Sequence, residues 1–157
     1  MTRRYAEKTT VASAQTQMQI QALVQRYGGE EFTVSLKEGH ALLGFRLGGR
    51  AIRLTLPLPK PGEPEFRRYY RGMYTYERTD SAAQKLWEQA CRANWRALLL
   101  VVRAKLEAIA IGILDVDEAF FGDVMTAAGG TVYERHAREV LPELPAPARL
   151  SLPDTKG

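Results

Sequence analysis

The sequence predicts an α+β fold in which a three-stranded antiparallel meander packs on an N-terminal helix and one long central helix, followed by a small helical C-terminal part. Three observations lead there. Between Asp80 and Gly112 runs a stretch free of Pro and Gly with helical patterning. Between Phe32 and Leu56 lie three alternating segments joined by two-residue turns. The composition, 45% hydrophobic and 25% charged over 157 residues, is that of an ordinary globular domain large enough for a real core. One domain is expected over residues 1–141, with a basic Arg/Tyr loop at 60–79, and a flexible tail at 142–157.

Taken in order, residues 1–9 read as a polar arm carrying Arg3, Arg4 and Lys8 around Tyr5. A first helix follows over 11–27, with Met18, Ala22, Val11, Ala14 and Leu23 as its apolar stripe. Arg26-Tyr27-Gly28-Gly29 ends it with a cation in the last turn and Gly beyond. Phe32, Val34 and Leu36 then alternate with Thr33, Ser35 and Lys37. Turns at Glu38-Gly39 and Gly48-Gly49 place Ala41, Leu43, Phe45 and Leu47, then Ile52, Leu54 and Leu56, on the same face. Closing both turns pairs Val34 with Leu43, Phe32 with Phe45, Phe45 with Ile52, and Leu43 with Leu54, all apolar. A slip of one residue would destroy every pair. Arg46 and Arg53 fall on the opposite, polar and mildly basic face.

Four prolines within Pro57–Pro64 cannot sit in a central strand and make a stiff extended connector. The stretch from Phe66 to Arg78 interleaves Arg and Tyr without helical or strand order, and is expected to be a mobile loop, in part a hairpin. The long helix opens at Asp80-Ser81, where Ser81 and Gln84 have capping-box spacing, and stops at Gly112. At ~1.5 Å per residue it is a rod of roughly 45 Å. One broad side carries Ala83, Leu86, Trp87, Ala90, Ala97, Leu98, Val101, Ala104, Ala108 and Ile111; the other carries Lys85, Arg92, Arg96 and Arg103. Lys105, on the apolar side, is expected to snorkel or to pair with an acid in the region of Asp115 to Glu118. A shorter helix over Asp115–Ala127, with Phe120, Phe121 and Val124 facing inward, precedes a break at Gly129-Gly130 and a last helical piece over 131–141.

The chemistry is mostly one of exclusion. His40 and His136 have no Cys or His at ligand spacing, so no metal site is read. The glycine pairs are turn residues, and no phosphate-binding glycine motif is present. No catalytic constellation and no cofactor are assigned, and the reading is non-enzymatic. Asp115, Asp117 and Glu118 are better read as the cap of a helix than as cation ligands. The one cysteine, Cys91, is read as a small core residue. The apolar run of the long helix is interrupted by Arg96 and Arg103 and is too short to span a bilayer; with no signal peptide read, a cytoplasmic location is expected.

The formal charge of +4 conceals a gradient: residues 1–105 carry +9 and residues 106–157 carry −5. A polyanion-facing body with an acidic end follows. The Arg/Tyr stretch sharpens this, because guanidinium groups neutralise phosphates and tyrosine rings stack on unpaired bases. The candidate nucleic-acid-binding set is Arg46, Arg53, Arg67, Arg68, Tyr69, Tyr70, Arg71, Tyr74, Arg78, Lys85, Arg92 and Arg96. Two plainer accounts compete with it: the tyrosines pack back on the sheet, and the basic stripe is a solvated helix face with Glu88/Arg92 and Arg103/Glu107 pairs.

Tyr5-Ala6, Arg26-Tyr27-Gly28, Gly49-Arg50, Leu56-Pro57-Leu58-Pro59, and Trp87-Glu88-Gln89 through Trp95-Arg96 to Lys105-Leu106-Glu107-Ala108 together resemble a family of small uncharacterised bacteriophage and prophage proteins. The similarity covers roughly residues 5–133 and implies a phage context without an activity. The order helix, three strands, helix is loosely similar to Rad52-like single-strand annealing proteins. The expected function is a nucleic-acid-binding protein for single strands, in replication or recombination. The alternative is an adaptor or inhibitor that binds a host or phage protein. Because the rod's apolar surface outruns what short strands cover, a homo-oligomer, a dimer through the long helix, is also expected.

Overall fold

The computed structural model describes residues 2–143, with side chains from Ser13 onward. The tail expected over 142–157 lies almost wholly outside the described residues. The architecture is α+β. Helix α1 (Thr2–Arg26) leads into a meander of β1 (Glu30–Lys37), β2 (His40–Leu47) and β3 (Arg50–Pro57) in the order β1-β2-β3. A short helix α2 (Pro64–Arg67) and a separate hairpin, β4 (Arg68–Arg71) and β5 (Tyr74–Glu77), precede the long helix α3 (Asp80–Ala110). Helices α4 (Val116–Phe120) and α5 (Val132–Val140) follow.

The expected register is present at Val34–Leu43, Phe45–Ile52 and Leu43–Leu54, with Lys37–His40 and Leu47–Arg50 closing the two turns. Phe32 is the exception. Between the pairs Glu30–Arg46 and Thr33–Gly44, two residues of β1 span the single residue Phe45. Glu31 takes φ 53° there, so the strand bulges. The bulge leaves Phe32 packed against the core while displacing Glu30 by one position. Gly29 is needed at the entry to β1 for close approach: a Cβ on it would lie 2.3 Å from Val24 Cγ1.

Helices α1 and α3 form the layer behind the apolar face of the sheet. Ile20 and Val24 of α1 meet Ala41, Leu43, Phe45, Leu47, Ile52 and Leu54 in one core. The stripe expected on α1 is rotated. Ser13, Ile20 and Val24 are buried, whereas Met18 and Ala22 are exposed, and the polar arm expected at 1–9 belongs to the helix from Thr2 onward. The same happens on α3. Its buried line is Ala83, Trp87, Cys91, Trp95, Leu98, Val102 and Leu106, so Val102 rather than Val101 enters the core, and Ala97, Ala104 and Ile111 of the expected side are exposed as well. Apolar residues surround α3 through its middle, so periodicity alone does not say which of them the sheet and α1 will cover. The cap also moves by two residues: Thr79, not Ser81, accepts a hydrogen bond from the Ala82 N–H.

The C-terminal part departs most from expectation. Helix α4 ends after one turn, Phe120 is buried edge-on to Phe45 at 5.7 Å, and Phe121 is exposed. Val124 and Met125 leave the helix to pair with the free edge of β3, where the Met125 N–H donates to the Ala51 carbonyl at 2.8 Å. An open strand edge offers unpaired backbone groups, and satisfying them outweighs one more turn of helix. Asp115 and Glu118 form a capping box, and Asp117 takes two hydrogen bonds from Arg50 at 2.7 and 2.8 Å. The bond from Arg50 holds the Asp117 carboxyl below its ordinary range. Lys105 pairs with Asp123 at 3.0 Å and not with the acids of α4, its Nζ lying 4.8 Å from the centre of the Phe120 ring. Thr131 caps α5 with Glu134 in a second capping box.

Candidate functional site

The connector after β3 is held from both ends. The Leu58 N–H donates to the Gly39 carbonyl at 2.9 Å, and Leu58 is buried. From α3, Trp87 Nε1 donates to the Pro59 carbonyl at 2.7 Å and Asn94 Nδ2 to the Pro57 carbonyl at 2.9 Å. Pro64 then starts the one-turn α2, whose Phe66 is buried against α3. The chain emerges at Arg67 and returns at Arg78, and those two arginines close the base. The Arg78 N–H donates to the Arg67 carbonyl at 2.7 Å. Its guanidinium Nη1 donates to the carbonyls of Arg68, Glu65 and Phe66 at 2.6, 3.0 and 3.4 Å. Arg67 Nη1 bonds Asp80 at 2.9 Å, at the start of α3.

From that base the Arg/Tyr stretch rises as an ordered hairpin, tied to itself instead of lying along α3. Pairs Arg68–Glu77, Tyr69–Tyr76, Tyr70–Thr75 and Arg71–Tyr74 close on a Gly72-Met73 turn, with Gly72 at φ 61°. All eight strand residues are exposed. The strand period places Tyr69, Tyr76, Arg71 and Tyr74 on one side, and Arg68, Tyr70, Thr75 and Glu77 on the other. Tyr69 and Tyr76 stack with centroids 5.4 Å apart and planes 21° from parallel. Tyr70 and Tyr74 are 79% and 69% exposed, and Met73 at the tip is 97% exposed. The tyrosines therefore do not pack back on the sheet.

The twelve residues expected to form the interface separate into three groups. Arg68, Tyr70, Arg71 and Tyr74 stand free on the hairpin, with Tyr69 stacked beside them; Arg67 and Arg78 hold its base. Lys85, Arg92 and Arg96 lie on α3 with Arg103, and none of the four makes an ion pair among the described residues. The carboxylates expected to neutralise them are engaged elsewhere: Glu88 accepts from the Gln84 amide at 2.8 Å, and Glu107 from the Tyr27 hydroxyl at 3.2 Å. Arg46 and Arg53 sit on the sheet face turned away from α3. Arg46 lies 3.9 Å from Glu31, and Arg53 is paired to Glu134 of α5. With Thr55, Thr131 and Tyr133, Arg53 lines a cleft of about 420 Å³ between the sheet and α5.

Tyr76 and Met73 belong to the hairpin surface and lie outside the set expected from sequence. Their signal was readable: Tyr74-Thr75-Tyr76 alternates, and Gly72-Met73 separates it from Arg68–Arg71 by a two-residue turn. Among the described residues no cluster of metal-ligating side chains occurs, and no helix is long and apolar enough to cross a membrane.

The molecule is thus an α+β scaffold that projects an aromatic, cationic β-ribbon. Compared with known proteins, the chain matches no family model, no curated protein and no solved structure.

Proposed function

We propose that this chain is a non-enzymatic nucleic-acid-binding protein that takes single strands on its β4–β5 hairpin, in a phage replication or recombination setting. The observation that carries the reading is the hairpin itself. Among the described residues it holds four exposed tyrosines, of which Tyr70 and Tyr74 are not stacked on another ring, and two arginines without an acidic partner, on a ribbon fastened at its base by Arg78. Unpaired bases expose faces that an aromatic ring can stack on, while bases in a duplex are already stacked on one another. The arginines supply phosphate contacts beside the rings. Lys85 and Arg92, near the end of α3 that the hairpin enters, extend the positive surface along the helix.

Retardation of labelled single-stranded and duplex oligonucleotides across a salt series tests this. Tighter retention of the single strand, weakening steeply as salt rises, is the expected result. Failure to retard any oligonucleotide at low salt and tens of micromolar protein would sink it.

A further inference from the structure

A seam of apolar residues on α3 begins at Leu86 and Ala90, which pack partly buried against the core, and runs on to a face that is exposed from Ala93 onward. Leu86, Ala90, Ala93, Ala97, Leu100 and Ala104 follow one another at alternating steps of four and three, the spacing that keeps a row of apolar residues facing a partner helix. The first three lie in a shallow groove of about 440 Å³ beside Phe66 and Arg78. Beyond the groove nothing covers the row among the described residues: Ala97 and Ala104 are exposed, and Leu100 is 64% exposed. Val101, flanking the row, is 48% exposed. A buried helix would need no such residues outside its core line, and a solvated one would carry polar residues there. Alanine at most positions lets a second backbone come close.

The edges of the seam select the occupant. Along one edge Arg96 and Arg103 flank the row, and neither has an acidic partner among the described residues; the other edge, at Asn94 and Val101, has no charge. A second copy packed antiparallel on the seam would bring the Arg96 and Arg103 edge against its own image. Packed parallel, it would set that edge against Asn94 and Val101. Neither arrangement neutralises the cations, and the antiparallel one repels.

We propose that the α3 seam docks one amphipathic helix of a protein partner, whose apolar face covers the exposed Ala93–Ala104 part of the row and whose glutamates or aspartates lie along Arg96 and Arg103. This surface is separate from the hairpin tip and does not depend on nucleic-acid binding.

The probe is a labelled four-heptad peptide with Leu and Ala on its seam and Glu at both flanking positions, compared with a twin carrying Lys there. The full chain is expected to bind the Glu peptide at micromolar concentration, with affinity falling as salt rises, and the Lys peptide at least about tenfold more weakly. Leu100→Glu should abolish binding, and its helical circular dichroism should match wild type because Leu100 is exposed. Arg96→Glu with Arg103→Glu should reverse the preference to the Lys peptide. Equal binding of both peptides, or none at tens of micromolar, overturns the proposal. So does light scattering that shows a dimer dissociated by Leu100→Glu, since the occupant would then be a second copy.

Discussion

The Arg78 guanidinium lies over the Tyr69 ring, its central carbon 5.3 Å from the ring centroid, while its Nη1 points back into three main-chain carbonyls. One side chain thus joins the root of the hairpin to the ring stack on it. Charged donors to carbonyls are worth more than neutral ones, and removing the donor leaves the carbonyls without that partner. Arg78→Ala is expected to loosen the hairpin by ~1.5–3 kcal/mol, the range for a hydrogen bond to a charged group. Hydrogen exchange at the Tyr69 to Tyr76 amides should accelerate while the three-stranded sheet stays protected. Unchanged exchange in the hairpin would show that Arg78 is not its anchor.

Stacking and charge on the hairpin separate in one titration. Tyr70→Ala with Tyr74→Ala should cost ~1–3 kcal/mol of single-strand affinity for each base that no longer stacks, with the salt slope unchanged. Arg68→Gln with Arg71→Gln should flatten that slope by about 0.7 for each phosphate of a single strand left unneutralised. Tyr69 is expected to matter less for binding than Tyr70, because its ring is already stacked on Tyr76.

The junction between the sheet and α5 is expected to be sensitive to acid. The Glu134 carboxyl lies below its ordinary range, first because it accepts the Thr131 N–H and then because Arg53 bonds it. A carboxylate with a depressed folded pKa stabilises the fold above its unfolded value and loses that contribution as pH falls through the folded one. Protection of the Val132–Val140 amides, taken relative to their intrinsic exchange at each pH, should therefore fall as pH drops below about 4, the region where an unperturbed glutamate protonates. Glu134→Gln should remove that dependence; if the acid response persists in the variant, another group is responsible.

Burial, with Glu88 adding to it, pushes the Cys91 thiol up to about 11. The thiolate is the reactive form, and the residue is fully buried. A thiol reagent at pH 8 should label folded protein only at the rate of unfolding and label it at once in denaturant. Rapid labelling of the folded chain would show that α3 opens locally around Cys91.

How much was legible in the sequence differs by element. Residues 33–56 wrote out their own register, because strand alternation has a period of two and a one-residue slip turns every apolar side chain outward. Even there Glu31 escaped, since a bulge costs only one unpaired residue and leaves Phe32 on the core face. The long helix was equally plain in extent, with Gly112 at its end at φ 78°. Its orientation was not. Leu98, Leu99, Leu100, Val101 and Val102 offer apolar surface in all directions, and only the placement of β3 and α1 decided that Leu98 and Val102 go inward while Leu100 stays out.

The candidate site divides in the same way. The Arg and Tyr composition of residues 67–78 is local, so residue order alone dictates that a cationic, aromatic segment enters the long helix, and its Gly72 turn is local too. Which arginines are free is a matter of tertiary contacts between residues far apart in the chain. Arg53 is engaged by Glu134, 81 positions away, and Glu107, expected beside Arg103, is turned to the Tyr27 hydroxyl 80 positions away. Such pairings depend on how the sheet, α3 and α5 come together, and no local pattern of charge encodes them. The uncovered row on α3 has the same origin. Its residues are visible in the sequence, but their exposure follows only from the packing of every other element elsewhere.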